Sequence, residues 1–351
     1  MRGPGPSPFE GRLRRPPQDD GDKLCLWKDW RGRIMNNARI TGLRSIELGV
    51  TDLTQSAAFY SRVWGLEPVV ADGETIHLRG NGTEHHAVTL RERPTAALLG
   101  VHFAAVNREA VDALHARAIA AGVALTTAPK ELPRSSGGGY GFQFKTPEGH
   151  TLNIASDVAR HQTTNNDSSV PNKLSHVVLN SAKIDQQTSF FIDTLGFKLS
   201  DKTDMMEFVR CSADHHSIAM ARGNGPTLNH MAYEVGSIDG LMRGAGRMKK
   251  HGFNVEWGVG RHGPGDNVFS YFIDPNGFVV EYTAEVEQVD EATYQPHDAE
   301  YWRNFPMRPC RWGMAGMPSN RFKAAASGDL SVADPEAGKR CEEIMAQTLG
   351  R

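Results

Sequence analysis

The stretch DPNGFVVEYT at residues 274–283 decides how this chain is read, because TPEGHTLNIA at residues 146–155 matches it without a gap. Asp274, Pro275, Asn276 and Gly277 each favour a tight turn. The alternation after the turn puts Phe278, Val280 and Tyr282 on one strand face and Val279, Glu281 and Thr283 on the other. Working outward, FYSRVWGLEPV at 59–69 matches FFIDTLGFKLS at 190–200, so the two halves read as duplicates. Within the second half, His176 precedes Ile184-Asp185 by eight and nine residues, and His230 precedes Ile238-Asp239 by the same intervals. Each half is therefore itself two copies of a strand, a helix of about a dozen residues and two or three further strands. A unit so small would expose one sheet face, and pairing two of them closes that face into a cavity. The expected fold is α+β: two duplicated domains, each of two βαβββ modules forming a curved, barrel-like sheet around a cavity.

The 351 residues suit two such domains, at 40–159 and 174–289, joined by an exposed polar linker at 160–173 (RHQTTNNDSSVPNK). Residues 1–34 hold ten Pro and Gly and six Arg without apolar periodicity, and read as a disordered leader or as sequence upstream of a start at Met35. With 39 basic against 41 acidic residues there is no electrostatic reason to expect nucleic acid or an anionic membrane as partner. No apolar run is long enough to span a bilayer, and a soluble, cytoplasmic protein is expected. The four cysteines, Cys25, Cys211, Cys310 and Cys341, lack the spacing of a disulfide framework or a thiolate metal site. No phosphate-binding GxxxxGK[ST] loop or GxSxG elbow occurs, and Gly137 to Gly139 reads as a loop.

His176 (KLSHVVLN) and His230 (TLNHMAYEV) occupy equivalent first strands of two quarters, and pseudo-symmetry aims both at one point, where Glu281 also faces. Two imidazoles and a carboxylate on three strands make one face of an octahedron with open positions opposite, the donor set of non-haem Fe(II), which Mn(II) also accepts. In the first half, ungapped matching puts Ser45, Phe103 and Asn153 at these places, which makes that half metal-incompetent.

With ligands confined to the second half of a four-module chain, residues 43–289 resemble the type I extradiol ring-cleavage dioxygenases of the vicinal oxygen chelate (glyoxalase/bleomycin resistance/dioxygenase) superfamily. That family's pattern is met by Gly260-Arg261-His262, then Tyr271-Phe272-Ile273-Asp274-Pro275-Asn276-Gly277, then Glu281, with Ser270 a departure where an aliphatic or Phe is usual. The family's distal histidine matches His216, fourteen residues before His230, rather than His215. The resemblance implies Fe(II) on His176, His230 and Glu281, a catecholic substrate opened beside its two hydroxyls, insertion of both atoms of O2, and a homo-oligomer. It assigns proton handling to His216 near the ordinary histidine pKa, a hydrogen bond to a substrate oxygen to Tyr271, and support of that region to His262. It also suggests Arg311 and Trp312 in the aromatic tail at 290–351, together with Asn180, as substrate contacts. The tail reads equally as a lid or as an assembly arm. Two other readings stay open: another metalloenzyme with the same ligands, such as a 4-hydroxyphenylpyruvate-type oxygenase or an isomerase, and a metal-free drug-binding protein.

Overall fold

The computed structural model describes residues 38–162, 167–307 and 310–349, so the expected leader lies outside the described residues. Two open, curved eight-stranded sheets carry the fold. The first holds β1 (Ile40–Val50), β2 (Glu67–Asp72), β3 (Thr75–Arg79), β4 (Val88–Glu92), β5 (Ala97–Ala105), β6 (Leu125–Glu131), β7 (Tyr140–Lys145) and β8 (Thr151–Ser156). The second holds β9 (Lys173–Ser181), β10 (Lys198–Lys202), β11 (Met206–Arg210), β12 (Ile218–Arg222), β13 (Thr227–Glu234), β14 (Trp257–Arg261), β15 (Val268–Ile273) and β16 (Val279–Ala284). Strand order is β2-β3-β4-β1-β5-β8-β7-β6 in one and β10-β11-β12-β9-β13-β16-β15-β14 in the other, the same arrangement twice. Each sheet is two modules joined by an antiparallel seam, β1 against β5 and β9 against β13.

Each module carries one helix: α1 (Leu53–Ala58), α2 (Arg108–Ala120), α3 (Ile184–Ser189) and α4 (Ile238–Lys250). Asp52, Asn107 and Ser237 cap three of them by accepting a backbone N–H, as short polar residues do at helix starts. Two smaller apolar clusters lie on the second sheet, and one apolar core runs through both halves. At its centre Trp64 of the first half stacks on Tyr282 of the second, with centroids 3.7 Å apart, and the Tyr282 hydroxyl donates to the Trp64 carbonyl at 2.6 Å. Arg247 donates to the carbonyls of Val63, Trp64 and Ser169, so the halves are joined by satisfied polar contacts as well as by packing.

The polar segment expected as an exposed linker is instead held where it is described. Arg160 pairs with Glu84, and Pro171 and Asn172 accept from the backbone of Asn81 and Gly82, because these loops would otherwise bury unpaired carbonyls. After β16 the tail forms α5 (Ala299–Asn304), α6 (Asn320–Ala326) and α7 (Pro335–Leu349), of which α5 and α6 cover the second sheet and α7 returns to α1. Among the described residues no helix is long and apolar enough to cross a membrane.

Candidate metal centre

Three adjacent strands at the middle of the second sheet supply the centre. Ala232 on β13 pairs with His176 on β9 to one side and with Glu281 on β16 to the other, so the small alanine separates two ligands in one row. His230, two residues before Ala232 in unbroken register, faces the same space by ordinary alternation, and β13 bulges just before it, between Leu228 and His230. The bulge brings Asn229 and His230, which alternation would send to opposite faces, onto one cavity wall. The turn before β16 is fixed by Asp274, whose carboxylate accepts from the backbone of Asn276 (2.8 Å) and Phe278 (2.9 Å) and from the Tyr60 hydroxyl. Gly277 at φ +92° is required there, since a Cβ would stand 2.7 Å from the Leu330 carbonyl oxygen.

His176, His230 and Glu281 are buried and their ligand atoms lie within 4.8 Å of one another. His176 Nε2 stands 3.2 Å and His230 Nε2 3.3 Å from the same atom, Glu281 Oε2. Among the described residues that oxygen has no hydrogen-bond partner, whereas Oε1 accepts from Asn267 at 3.2 Å. Burial alone would raise the Glu281 carboxyl, and the two imidazoles more than offset it, holding the group ionised well below the usual range. An orphaned anionic oxygen between two imidazole nitrogens fits a divalent cation, and the donor set is that of non-haem iron or manganese.

The other expected residues divide into two groups. His216, His262 and Tyr271 line the cavity above the ligands. The His216 ring stands 4.2 Å from that of His176, and its Nδ1 lies 3.0 Å from His215 Nδ1, whose ring in turn reaches Asp201 at 3.1 Å. His262 Nε2 is 2.8 Å from the Tyr271 hydroxyl, and its ring stacks on Phe269. Gly260, two residues earlier, faces Phe269 and Cys310 so closely that a Cβ would come within 2.6 Å and 2.8 Å of them, which gives the Gly-x-His spacing its reason. Burial, with His176 and its other histidine neighbours, holds His216 well below the ordinary histidine value, and burial brings His262 to about 4. The proton-handling role expected of His216 was reasoned from the ordinary histidine value, and its burial favours the neutral imidazole instead. Burial also pushes the Tyr271 phenol well above its usual value, so it remains a hydroxyl.

Asn180 and Trp312 do not line the cavity. Asn180 is buried behind the wall, bonded to Asn229, Thr227 and the tail, and Trp312 lies under the Arg261 guanidinium, 40% exposed. Arg311 does line the cavity, but it is paired with Asp266 rather than free. The cavity holds about 750 Å³, and its wall includes Val178, Met206 and Phe208 from the sheet and Trp302, Phe305 and Phe322 from the tail. Trp302 and Phe305 belong to the aromatic tail read as a lid or an assembly arm, whereas Phe322, like Asn229, escaped the sequence reading.

One first-half assignment also changes. Gly100, not Phe103, occupies the place of His230: each pairs across its seam, Gly100 with Glu47 and His230 with Val178, and each stands seven residues before its helix cap, Asn107 or Ser237. Phe103 points into the core against Phe197. Ser45, Gly100 and Asn153 together still offer no imidazole or carboxylate.

The profile of the Glyoxalase/Bleomycin resistance protein/Dioxygenase superfamily matches residues 42–154 and 173–282. The Mn(II)-bound glyoxalase from Novosphingobium aromaticivorans is 42% identical and superposes with a TM-score of 0.75 over 81% of this chain and 94% of that one. Metapyrocatechase 2 of Cupriavidus necator is 34% identical over 123 residues, which is 34% of this chain and 38% of that protein. The manganese-dependent 2,3-dihydroxybiphenyl 1,2-dioxygenase of Geobacillus genomosp. 3 is 23% identical over 78% of this chain and 96% of its own. A match over each of the two sheets places the chain in the Glyoxalase/Bleomycin resistance protein/Dioxygenase superfamily.

Proposed function

We propose that the protein is an Fe(II)-dependent extradiol dioxygenase that opens the ring of a catechol beside its two hydroxyls and inserts both atoms of O2, with Mn(II) the other cation its donor set accepts. The observation that carries the reading is the convergence of His176 and His230 Nε2 on the partnerless Glu281 Oε2 at the base of an apolar cavity that also presents His216, Tyr271 and His262. When bound, the metal supplies a Lewis acid that favours ionised catechol oxygens and an open site for dioxygen.

The chain's own residues do the rest. His216, neutral and buried, is a proton acceptor on the side of His176. The Tyr271 hydroxyl, kept protonated by burial and steered by His262, is a donor for a substrate oxygen. The sheet and tail exclude water from the reacting atoms. A cavity of about 750 Å³ lies in the range that holds drug-sized ligands, far beyond a bare catechol, so the substrate carries a large apolar substituent seated against Phe208, Trp302 and Phe322. An intact, charged donor set speaks against a metal-free drug-binding role.

The test is anaerobic purification, loading with Fe(II) or Mn(II), and exposure to oxygen with catechols bearing substituents of increasing size. A yellow ring-fission product, with kcat/KM rising for the larger substrates, is expected. No product from any catechol with either metal would overturn the reading.

A further inference from the structure

The wall behind His230 contains a chain of hydrogen bonds whose direction is set at its far end. The Ala326 carbonyl, closing α6 of the tail, can only accept. Asn180 Nδ2 donates to it at 2.8 Å and to Thr227 Oγ1 at 2.9 Å, which commits both amide protons. The Thr227 hydroxyl spends its own proton on the Asn224 carbonyl at 3.1 Å, so it cannot reverse the link. Asn180 Oδ1 must then face Asn229, and it accepts from Asn229 Nδ2 at 3.0 Å. Asn229 Oδ1 is left facing His230 Nδ1 at 2.8 Å, a contact that exists only if Nδ1 carries the proton. Nε2 is then the bare nitrogen, and it is the atom turned to Glu281 Oε2. Turning Asn180 over would set oxygen against oxygen at the buried tail contact, where Asn180 is 2% exposed, and turning Asn229 alone would set its Oδ1 against Asn180 Oδ1.

We infer that Asn180 and Asn229 are positioning residues through which helix α6 of the tail fixes the tautomer of His230, so that docking of the tail and metal affinity are coupled. The inference rests on His230 being a metal ligand. It goes beyond that reading by making a segment remote in sequence a determinant of the ligand's state. The coupling is reciprocal: a metal on Nε2 favours the Nδ1–H form, which favours the amide orientation that holds Ala326.

The test uses the full-length protein and Mn(II) as probe. Free Mn(II) is followed by electron paramagnetic resonance during titration of the wild type, Asn180→Leu, Asn229→Leu and Asn229→Asp, and hydrogen exchange is read over residues 320–326. We expect Asn180→Leu and Asn229→Leu to bind Mn(II) roughly 10- to 100-fold more weakly. Asn229→Asp should stay within about threefold of the wild type, since a carboxylate accepts the same proton. Mn(II) should slow exchange in α6 of the wild type and not of Asn180→Leu. Equal Mn(II) affinity in the wild type and both leucine variants would overturn the inference while leaving the metal centre intact. Failure of the wild type itself to bind Mn(II) or Fe(II) would instead overturn the metal reading. Should the leucine variants not fold, 15N spectra of the metal-free wild type, with His230 assigned by comparison with His230→Gln, decide the matter. Protonated Nδ1 supports the inference, and protonated Nε2 overturns it.

Discussion

The concave faces of the two sheets place similar side chains on the same frame and reach opposite results. Both halves carry a His-His pair ahead of the fourth strand of their first module, His85-His86 and His215-His216, with Nδ1 atoms 2.9 and 3.0 Å apart. Both hold a buried or half-buried glutamate near an imidazole. In the first sheet Glu47 is satisfied by Arg91 at 2.8 Å and lies 3.6 Å from His102, while Asn153 accepts from Gln143 at 2.9 Å. In the second, Glu281 Oε2 faces two imidazole nitrogens and pairs with no Arg or Lys among the described residues. What separates a metal centre from an ordinary polar cluster here is the absence of a competing cation, together with convergence of the donors, rather than the presence of carboxylate and histidine.

Removing the convergence should have the largest effect. Glu281→Ala or His176→Ala is expected to strip the metal, a loss beyond the roughly 100-fold that a supporting residue costs, and to abolish ring cleavage. Metal analysis after dialysis checks it, and full occupancy in either variant would break the comparison. His216→Phe should keep the metal and slow turnover by roughly 100- to 10,000-fold. Its loss of metal with normal turnover per metal would show that the residue had been misread.

The comparison can also be sharpened by transplant. Ser45→His, Gly100→His and Asn153→Glu together, with Arg91→Ala to withdraw the competing cation, should create a second Mn(II) site. Its affinity should be roughly 10- to 100-fold below the native one, since no counterpart of the Asn229–Asn180 support has been installed. Calorimetry giving one site per chain would show that the frames differ more than their strand pairing suggests. A smaller effect is expected at the wall: Trp302→Ala should raise KM about tenfold for catechols with large substituents and little for catechol, with metal unchanged.

The smallest effect concerns acid. Burial would raise the Glu47 carboxyl, but His102 and Arg91 more than offset it and bring it to about 2 from 4.5. Because the folded value lies below the unfolded one, Glu47 stabilises the fold above about pH 4.5 and loses that contribution as pH falls towards 2. Glu47→Gln should therefore lower Tm at pH 7, and the gap should close between pH 4.5 and 2; a gap that widened on acidification would contradict the pairing.

Much of this was legible in the chain because repetition makes spacing informative. His176, His230 and Glu281 stand out as departures between copies, and Gly260, His262 and Tyr271 are carried by the resemblance to the extradiol pattern around Glu281. What escaped reading had no copy to be compared with or depended on a bulge. Asn229 shares a face with His230 only because β13 is irregular there. The aromatic character of the tail is legible, with Trp302 and Phe305 in it, but the seating of these rings and of Phe322 on the cavity is not, since the tail occurs once. Asn180 comes from the resemblance as a substrate contact, and its partners beyond the wall are visible only in three dimensions.

The stack of Trp64 on Tyr282 bears on the history of the duplication. Tyr282 follows Glu281 directly, and its ring and hydroxyl are both held by the first half. The first half thus serves as the mould in which the Glu281 carboxylate is set. Cutting the chain at 163–166 and producing the halves apart should give a second half unable to seat Glu281 until its twin is added back. On this view one copy is kept for the shape it gives the other.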